Sequence, residues 1–224
     1  LNVLGRKFGA QGAVFASGAC APILGAHQSP PANECEGFKA RVIQYIESND
    51  IKRVFLVGRW SYYVMGGPTQ MRVAFITDSS QVTTSPEEAQ KVFERSLGTM
   101  VHTLTSEGRQ VIIVKQVPEQ LYFDQRQAFY KAVLAPGINP VQPVEKETNA
   151  KYQQKANAAI DGLSAIPGVT IIDPTSILCA RGGICDLERG GELLYRDENH
   201  LSVAGALALE PVFRGVFETM RPSR

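Results

Sequence analysis

The sequence lacks an excess of either charge: 23 Lys and Arg stand against 22 Asp and Glu, a formal net charge of +1. It also lacks a basic run. Nucleic acids and anionic membrane surfaces select clustered Lys and Arg, so neither is an expected partner. Long apolar runs are missing as well. No stretch approaches the roughly 18 residues that read as a bilayer-crossing helix, and no signal-peptide pattern opens the chain. The four cysteines avoid the two-residue gap of a zinc knuckle or a redox motif, so no metal or other cofactor is expected. Histidine is scarce, three in 224 residues, and only one of them has a chemical setting.

What is present fits an ordinary globular domain: 44% hydrophobic and 20% charged residues over a length that suits one domain, 1–224. Cys20 and Cys35 bracket a Pro/Gly/Ser-rich loop; Cys179 and Cys185 bracket Ala-Arg-Gly-Gly-Ile. Even count, loop placement and short closures favour two disulfides and an oxidising compartment. Free buried thiols in a reducing compartment are the alternative. The opening residues Leu1–Arg6 read as the middle of a helix rather than a natural start.

Strand and helix patterns alternate. Residues 11–17 (Gln-Gly-Ala-Val-Phe-Ala-Ser) read as a short buried strand entering a loop. Phe38, Val42, Ile43, Tyr45 and Ile46 give a helix over Glu36–Glu47. Arg53–Val57, Gln110–Val114 and Val169–Ile172 are continuous β-branched and apolar runs, typical of parallel strands covered on both faces. Residues 72–77 alternate weakly, as an excursion strand would. A helix opened by Ser85-Pro86-Glu87-Glu88 runs to Gly108, with His102 on its surface. Residues 120–148 read as irregular, with a short amphipathic stretch near Phe123–Leu134. A helix over Asn149–Ile166, a short strand at Glu192–Tyr195 and a final helix from Ser202 follow. This order predicts an α/β fold with a mainly parallel sheet.

In such a sheet, functional residues collect beyond the C-terminal strand ends. Those positions are Ser17-Gly18-Ala19-Cys20, Gly58-Arg59-Trp60-Ser61 and Gln116-Val117-Pro118-Glu119. A fourth segment, Leu194-Tyr195-Arg196-Asp197-Glu198-Asn199-His200-Leu201-Ser202, places an acid three residues ahead of a histidine, just before a helix. A carboxylate there can aim the imidazole and pair its second nitrogen, leaving the first as a base. Taken alone the spacing is a common accident, and Asp197 reads equally well as a helix cap.

Its company changes the weight. Tyr195, Asn199-His200-Leu201-Ser202 and Gly205-Ala206 together resemble the final block of the SGNH (GDSL-like) hydrolase superfamily. Cys20-Ala21-Pro22, Val57-Gly58-Arg59-Trp60-Ser61-Tyr62, Val117-Pro118-Glu119 and the Cys179–Cys185 loop narrow the resemblance. They look like the SGNH domain fused to membrane-embedded acyltransferase family 3 proteins, which O-acetylate bacterial surface polysaccharides. The resemblance implies a three-layer α/β/α, flavodoxin-like sandwich, with Asp197 and His200 as acid and base of a serine triad. It implies a carbohydrate acceptor, a fused membrane acyltransferase domain as acyl donor, and an extracytoplasmic, periplasmic location.

The sequence departs from that family in two places. Its Gly-Asp-Ser-His nucleophile block is absent; by the resemblance that block and its strand lie ahead of Leu1, so this chain alone is expected to be inactive. The missing strand would be central, which predicts a gap or an altered sheet. The oxyanion Asn of Gly-x-Asn-Asp is also absent, a donor worth roughly 3–4 kcal/mol to a transition state. Arg59, Ser61 or a backbone amide is expected in its stead, with Gly18 as a second backbone donor. Trp60 and Tyr62 are read as a sugar platform, against core packing, which is preferred for Tyr63. Acyl transfer to carbohydrate is therefore the leading expectation. A carbohydrate O-acetyl esterase and a non-catalytic glycan-binding module are the alternatives.

Overall fold

β-branched runs pair where the sequence places them. In a computed structural model that describes residues 1–18, 20–28, 34–67, 75–121, 123 and 142–219, the chain divides into two compact units interleaved in sequence. One, here the sheet unit, comprises Val14–Gln116 and Tyr152–Ile172; the other, the loop unit, comprises Leu1–Ala13, Val117–Lys151 and Asp173–Arg224.

The sheet unit carries a parallel sheet of β2 (Arg53–Val57), β4 (Gln110–Val114) and β5 (Val169–Ile172), in the order β2-β4-β5. Arg53 faces Gln110, and Val111 faces Val169, so all three runs match their expected bounds. α4 (Pro86–Ser106) packs on β4 and on α3 (Trp60–Met65). Its apolar stripe of Ala89, Val92, Phe93, Leu97, Met100, Val101 and Leu104 is buried, and His102 is exposed on the opposite face. Ser85 caps it by accepting from the Glu88 amide, while Glu88 accepts from Thr84 in return, a reciprocal arrangement that satisfies otherwise orphaned donors.

A two-stranded antiparallel pair, β1 (Ala26–Gln28) with β3 (Ile76–Asp78), adjoins the Cys20–Cys35 disulfide. The loop closed by that bond is pinned on α2 (Cys35–Ser48). Buried Lys39 donates to the carbonyls of Ile23 and Ala26 at 2.9 and 2.6 Å and pairs with Glu36.

In the loop unit, Phe123, Leu178, Leu187, Leu194, Tyr195 and Leu209 form one buried cluster. α1 (Asn2–Phe8) packs on α8 (Glu210–Glu218), with the Phe8 and Phe217 rings 6.3 Å apart. β6 (Glu188–Arg189) and β7 (Glu192–Leu193) make a hairpin turned by Gly190 and Gly191. Both have positive φ, 63° and 84°, the backbone that two-residue hairpin loops require. α6 (Thr175–Leu178) leads into the second disulfide, Cys179–Cys185. α5 (Lys146–Asp161) passes its residues up to Lys151 to this unit and the rest to the sheet unit.

Several expectations need correction. Residues 11–17 form no strand: Val14 is 88% exposed, and Phe15 meets the edge of Tyr45 instead of a sheet. A short apolar run resembles a buried strand in composition, but no described strand pairs with it. Gly58–Tyr62 is not wholly a loop, because α3 begins at Trp60. The helix expected over 149–166 starts and ends earlier, as α5, and is followed by turns and a bend up to Gly168. The strand expected over 192–195 shrinks to β7 and a single bridge from Tyr195 to Leu201. The final helix is two, α7 (Val203–Ala208) and α8, because Pro211 has no amide to continue a helix and so sits at the start of a new one. Of the stretch expected at 123–134, all but Phe123 lies outside the described residues, as do residues 72–74.

Candidate active site

The loop unit brings Asp197 and His200 together. Nδ1 of His200 lies 2.9 Å from each Asp197 carboxylate oxygen. An ionised carboxylate only accepts, so Nδ1 carries a proton, and in the neutral ring Nε2 is then the nitrogen with the lone pair. The same carboxylate is held from behind: Oδ1 accepts from the backbone amides of Asn199 at 3.0 Å and His200 at 2.8 Å. Burial pushes the Asp197 carboxyl up, but those two amides and the His200 ring together hold it below the usual carboxylate range. The imidazole side chain is 71% exposed and the carboxylate 35%. The carboxylate is thus oriented by backbone, and the imidazole it meets is mostly exposed.

Asp197 does not cap the following helix. Ser202 does, accepting from the Gly205 amide at 3.1 Å and donating to the carbonyl of Leu193 at 2.6 Å. The loop neck is closed by Arg196 N–H to His200 C=O at 2.8 Å and Ser202 N–H to Leu194 C=O at 2.9 Å. Gly205 is obligatory here: a Cβ on it would stand 2.0 Å from the Leu194 carbonyl oxygen. Tyr195 anchors the neck from inside, its ring enclosed and its phenol pushed up by burial.

Gly18, Arg59, Trp60, Ser61 and Tyr62 lie in the sheet unit. The Arg59 guanidinium sits 4.8 Å from the Tyr62 ring centroid, a cation–π stack on a half-buried ring. Trp60 corrects the platform expectation. Its ring is completely enclosed, packed against Phe93 and Tyr63, and its indole N–H donates to Val114 C=O at 2.7 Å. A large aromatic directly after a buried strand fills the core instead of offering a face. Ser61 is also fully buried, and its backbone amide donates to Gln116 Oε1 at 2.7 Å, so that amide is already engaged. Tyr63 is core, as expected, and burial lifts its phenol to about 12 against the lowering effect of Arg59. Gly18 is exposed in a turn that no described strand precedes, which removes its expected strand-end setting. Ser17 beside it is exposed and lies 3.4 Å from Cys20 Sγ.

Both expected disulfides, Cys20–Cys35 and Cys179–Cys185, are formed. Among the described residues no group of three or more His, Cys, Asp or Glu could hold a metal ion, and no helix is long and apolar enough to cross a membrane. Sequence reasoning missed Gln120, whose amide reaches the Asp197–His200 loop. The one available signal was a polar Gln-Val-Pro-Glu-Gln run directly after a buried strand.

The family described as SGNH domain (fused to AT3 domains) matches residues 1–215. The chain belongs to that family. No curated protein matches it. Among solved structures it is similar to the periplasmic domain of a Salmonella ser. Paratyphi A lipopolysaccharide acetyltransferase. Identity there is 12% with a TM-score of 0.60, over 97% of this chain and 77% of that one. A GDSL-like lipase from Bacteroides thetaiotaomicron VPI-5482 matches at 11% identity and TM-score 0.45, over 82% and 70%. A Streptococcus pneumonia protein described as a platelet activating factor matches at 17% identity and TM-score 0.42. The SGNH chain covers 60% of that protein's length and 75% of its own. At 12% identity the likeness to the acetyltransferase periplasmic domain shows the shared fold alone.

Proposed function

We propose that Asp197 and His200 are the acid and base of a serine-type acyl transfer to a carbohydrate hydroxyl, carried out outside the cytoplasmic membrane. One observation carries this reading: the carboxylate holds Nδ1–H at 2.9 Å, which leaves Nε2 as an outward-facing proton acceptor. Family membership and the likeness to an acetyltransferase domain support it.

In this scheme the serine hydroxyl of the family's Gly-Asp-Ser-His block gives its proton to Nε2 as its oxygen attacks the acyl carbonyl. Collapse of the tetrahedral intermediate breaks the bond to the donor, which takes the proton from His200 as it leaves. The sugar hydroxyl then repeats the sequence in reverse: its proton goes to Nε2, its oxygen forms the new ester, and the serine recovers the proton. Asp197 keeps the ring in one tautomer throughout. Arg59 and Tyr62, a partly open stack in the sheet unit, are the proposed sugar-binding residues. The fused AT3 domain is the acyl donor partner, and two disulfides suit the oxidising compartment in which such a glycan is found.

The 71% exposure of His200 favours a second reading, in which water replaces the sugar and the domain is an acetyl esterase. Incubation of the full-length protein with a model acetyl ester, with and without glycan, separates the two. A transferase moves acetyl to the glycan; an esterase releases acetate at the same rate in both tubes. Either activity falls when Asp197 or His200 becomes Ala, and undiminished turnover in both variants would refute the triad reading altogether.

A further inference from the structure

We infer that Gln120 is a positioning residue for the acid–base loop, transmitting the fixed place of the Cys179–Cys185 loop to the backbone between Asp197 and His200. The inference rests on the reading of that pair as acid and base. All of its parts lie in the loop unit.

Gln120 is completely buried, and every polar group it owns is used. Its side-chain oxygen accepts from Val144 N–H at 2.9 Å, and its side-chain nitrogen donates to Cys185 C=O at 3.1 Å. Its backbone amide donates to Glu198 C=O at 2.7 Å, and its own carbonyl accepts from Phe123 N–H at 2.9 Å. Glu198 is the residue next to Asp197 at the tip of the loop. The bonds at the neck join Arg196 to His200, Ser202 to Leu194, and Leu194 to Leu187 before the β6–β7 hairpin. The tip is held from elsewhere in the sequence by Gln120.

The other end of this connection is rigid. Cys185 is tied by the disulfide to Cys179 and by its amide to Val144 C=O at 2.8 Å; Lys146 N–H adds a bond to Gly183 C=O at 2.8 Å. Val144, Cys179 and Cys185 are buried together, with Leu121 against them. The carboxamide therefore bridges two pinned backbone segments, and the main chain of the same residue holds the loop tip. A side chain without both a donor and an acceptor leaves Val144 N–H and Cys185 C=O buried and unpaired. Residue 120 then shifts to relieve them, taking the Glu198 contact with it. The amides of Asn199 and His200, which orient the Asp197 carboxylate, flank Glu198.

The test uses Gln120→Met, similar in length but without either bond, and a Cys179→Ala/Cys185→Ala double variant that leaves Gln120 intact. Val92→Ala in the sheet unit serves as a control that lowers Tm without touching the loop. Carboxyl NMR titration of Asp197 and hydrogen exchange at Asn199 and His200 are read on this chain. Exchange at those two amides is expected to rise about tenfold or more in Gln120→Met and in the cysteine variant. The Asp197 midpoint is expected to climb toward the ordinary value of about 3.9 in both, and to stay in place in Val92→Ala. If either loop-unit variant remains folded with exchange and midpoint unchanged, the inference is overturned, and the cysteine arm decides should Gln120→Met fail to fold. These readouts need no turnover. A shifted midpoint alongside normal activity of the full-length Gln120→Met or His200→Ala protein would therefore count against the acid–base reading, not against the coupling.

Discussion

The Arg196–Ser202 loop and the Gly58–Tyr63 segment use polar and aromatic groups in opposite ways. In the first, backbone bonds hold the frame and two side chains are turned outward: His200 is mostly exposed, and Asp197 spends its oxygens on aiming it. In the second the groups are turned inward, Trp60 and Ser61 being fully buried and committed to Val114 and Gln116. Only the Arg59–Tyr62 stack remains partly open. The difference teaches where chemistry is to be sought. A side chain enclosed in the core, as Trp60 is with its indole N–H already donated to Val114, has nothing left for a substrate, whereas the exposed His200 ring does.

Breaking the inward-facing segment should have the largest effect on stability. Trp60→Ala removes an enclosed indole and leaves Val114 C=O without its donor. It should cost about 3–5 kcal/mol in chemical denaturation, the range for large aromatic truncations. Gly205→Ala comes next. The added Cβ meets backbone 2.0 Å away, so α7 or the loop neck must move, at about 1–3 kcal/mol by the same assay. The matching change in the other segment, Gly58→Ala, meets only the Trp60 ring, at 3.1 Å, and should cost less.

Asp197→Asn sharpens the comparison through pH. The folded Asp197 carboxyl is held below its unfolded value, so its contribution to stability is present above the unfolded value and lost as pH falls through the folded one. The Tm gap between wild type and Asp197→Asn should therefore be full near neutral pH and close on acidification below about pH 4. A gap that widened on acidification would reverse the sign of the coupling. His200→Ala should move stability least, within about 0.5 kcal/mol, because an outward imidazole contributes little packing.

Much of the frame was legible in the residues. Arg53–Val57, Gln110–Val114 and Val169–Ile172 were readable because continuous β-branched runs have few alternatives in an α/β chain. The α4 cap was readable because Ser-Pro-Glu-Glu states its own geometry. The Asp197–His200 spacing alone was a common accident; the pair stood out through the resemblance of its neighbours to the final SGNH block, and a tight turn does bring the two side chains to 2.9 Å. What failed was context. Residues 11–17 are apolar enough for a strand, but strand formation depends on a neighbour that local composition does not specify. Trp60 has one sequence but two uses, platform or core, and only burial decides between them. Gln120 was invisible because its partners, Val144, Cys185 and Glu198, are spread through the following sequence.

The most direct test of the account compares one outward residue with one inward residue in the full-length protein, scoring O-acetylation of the proposed glycan acceptor. His200→Ala is predicted to abolish acetylation with Tm unchanged, while Trp60→Phe, which keeps most of the buried ring, lowers Tm and retains acetylation. Normal acetylation by a folded His200→Ala protein would contradict the assignment of this histidine as the base.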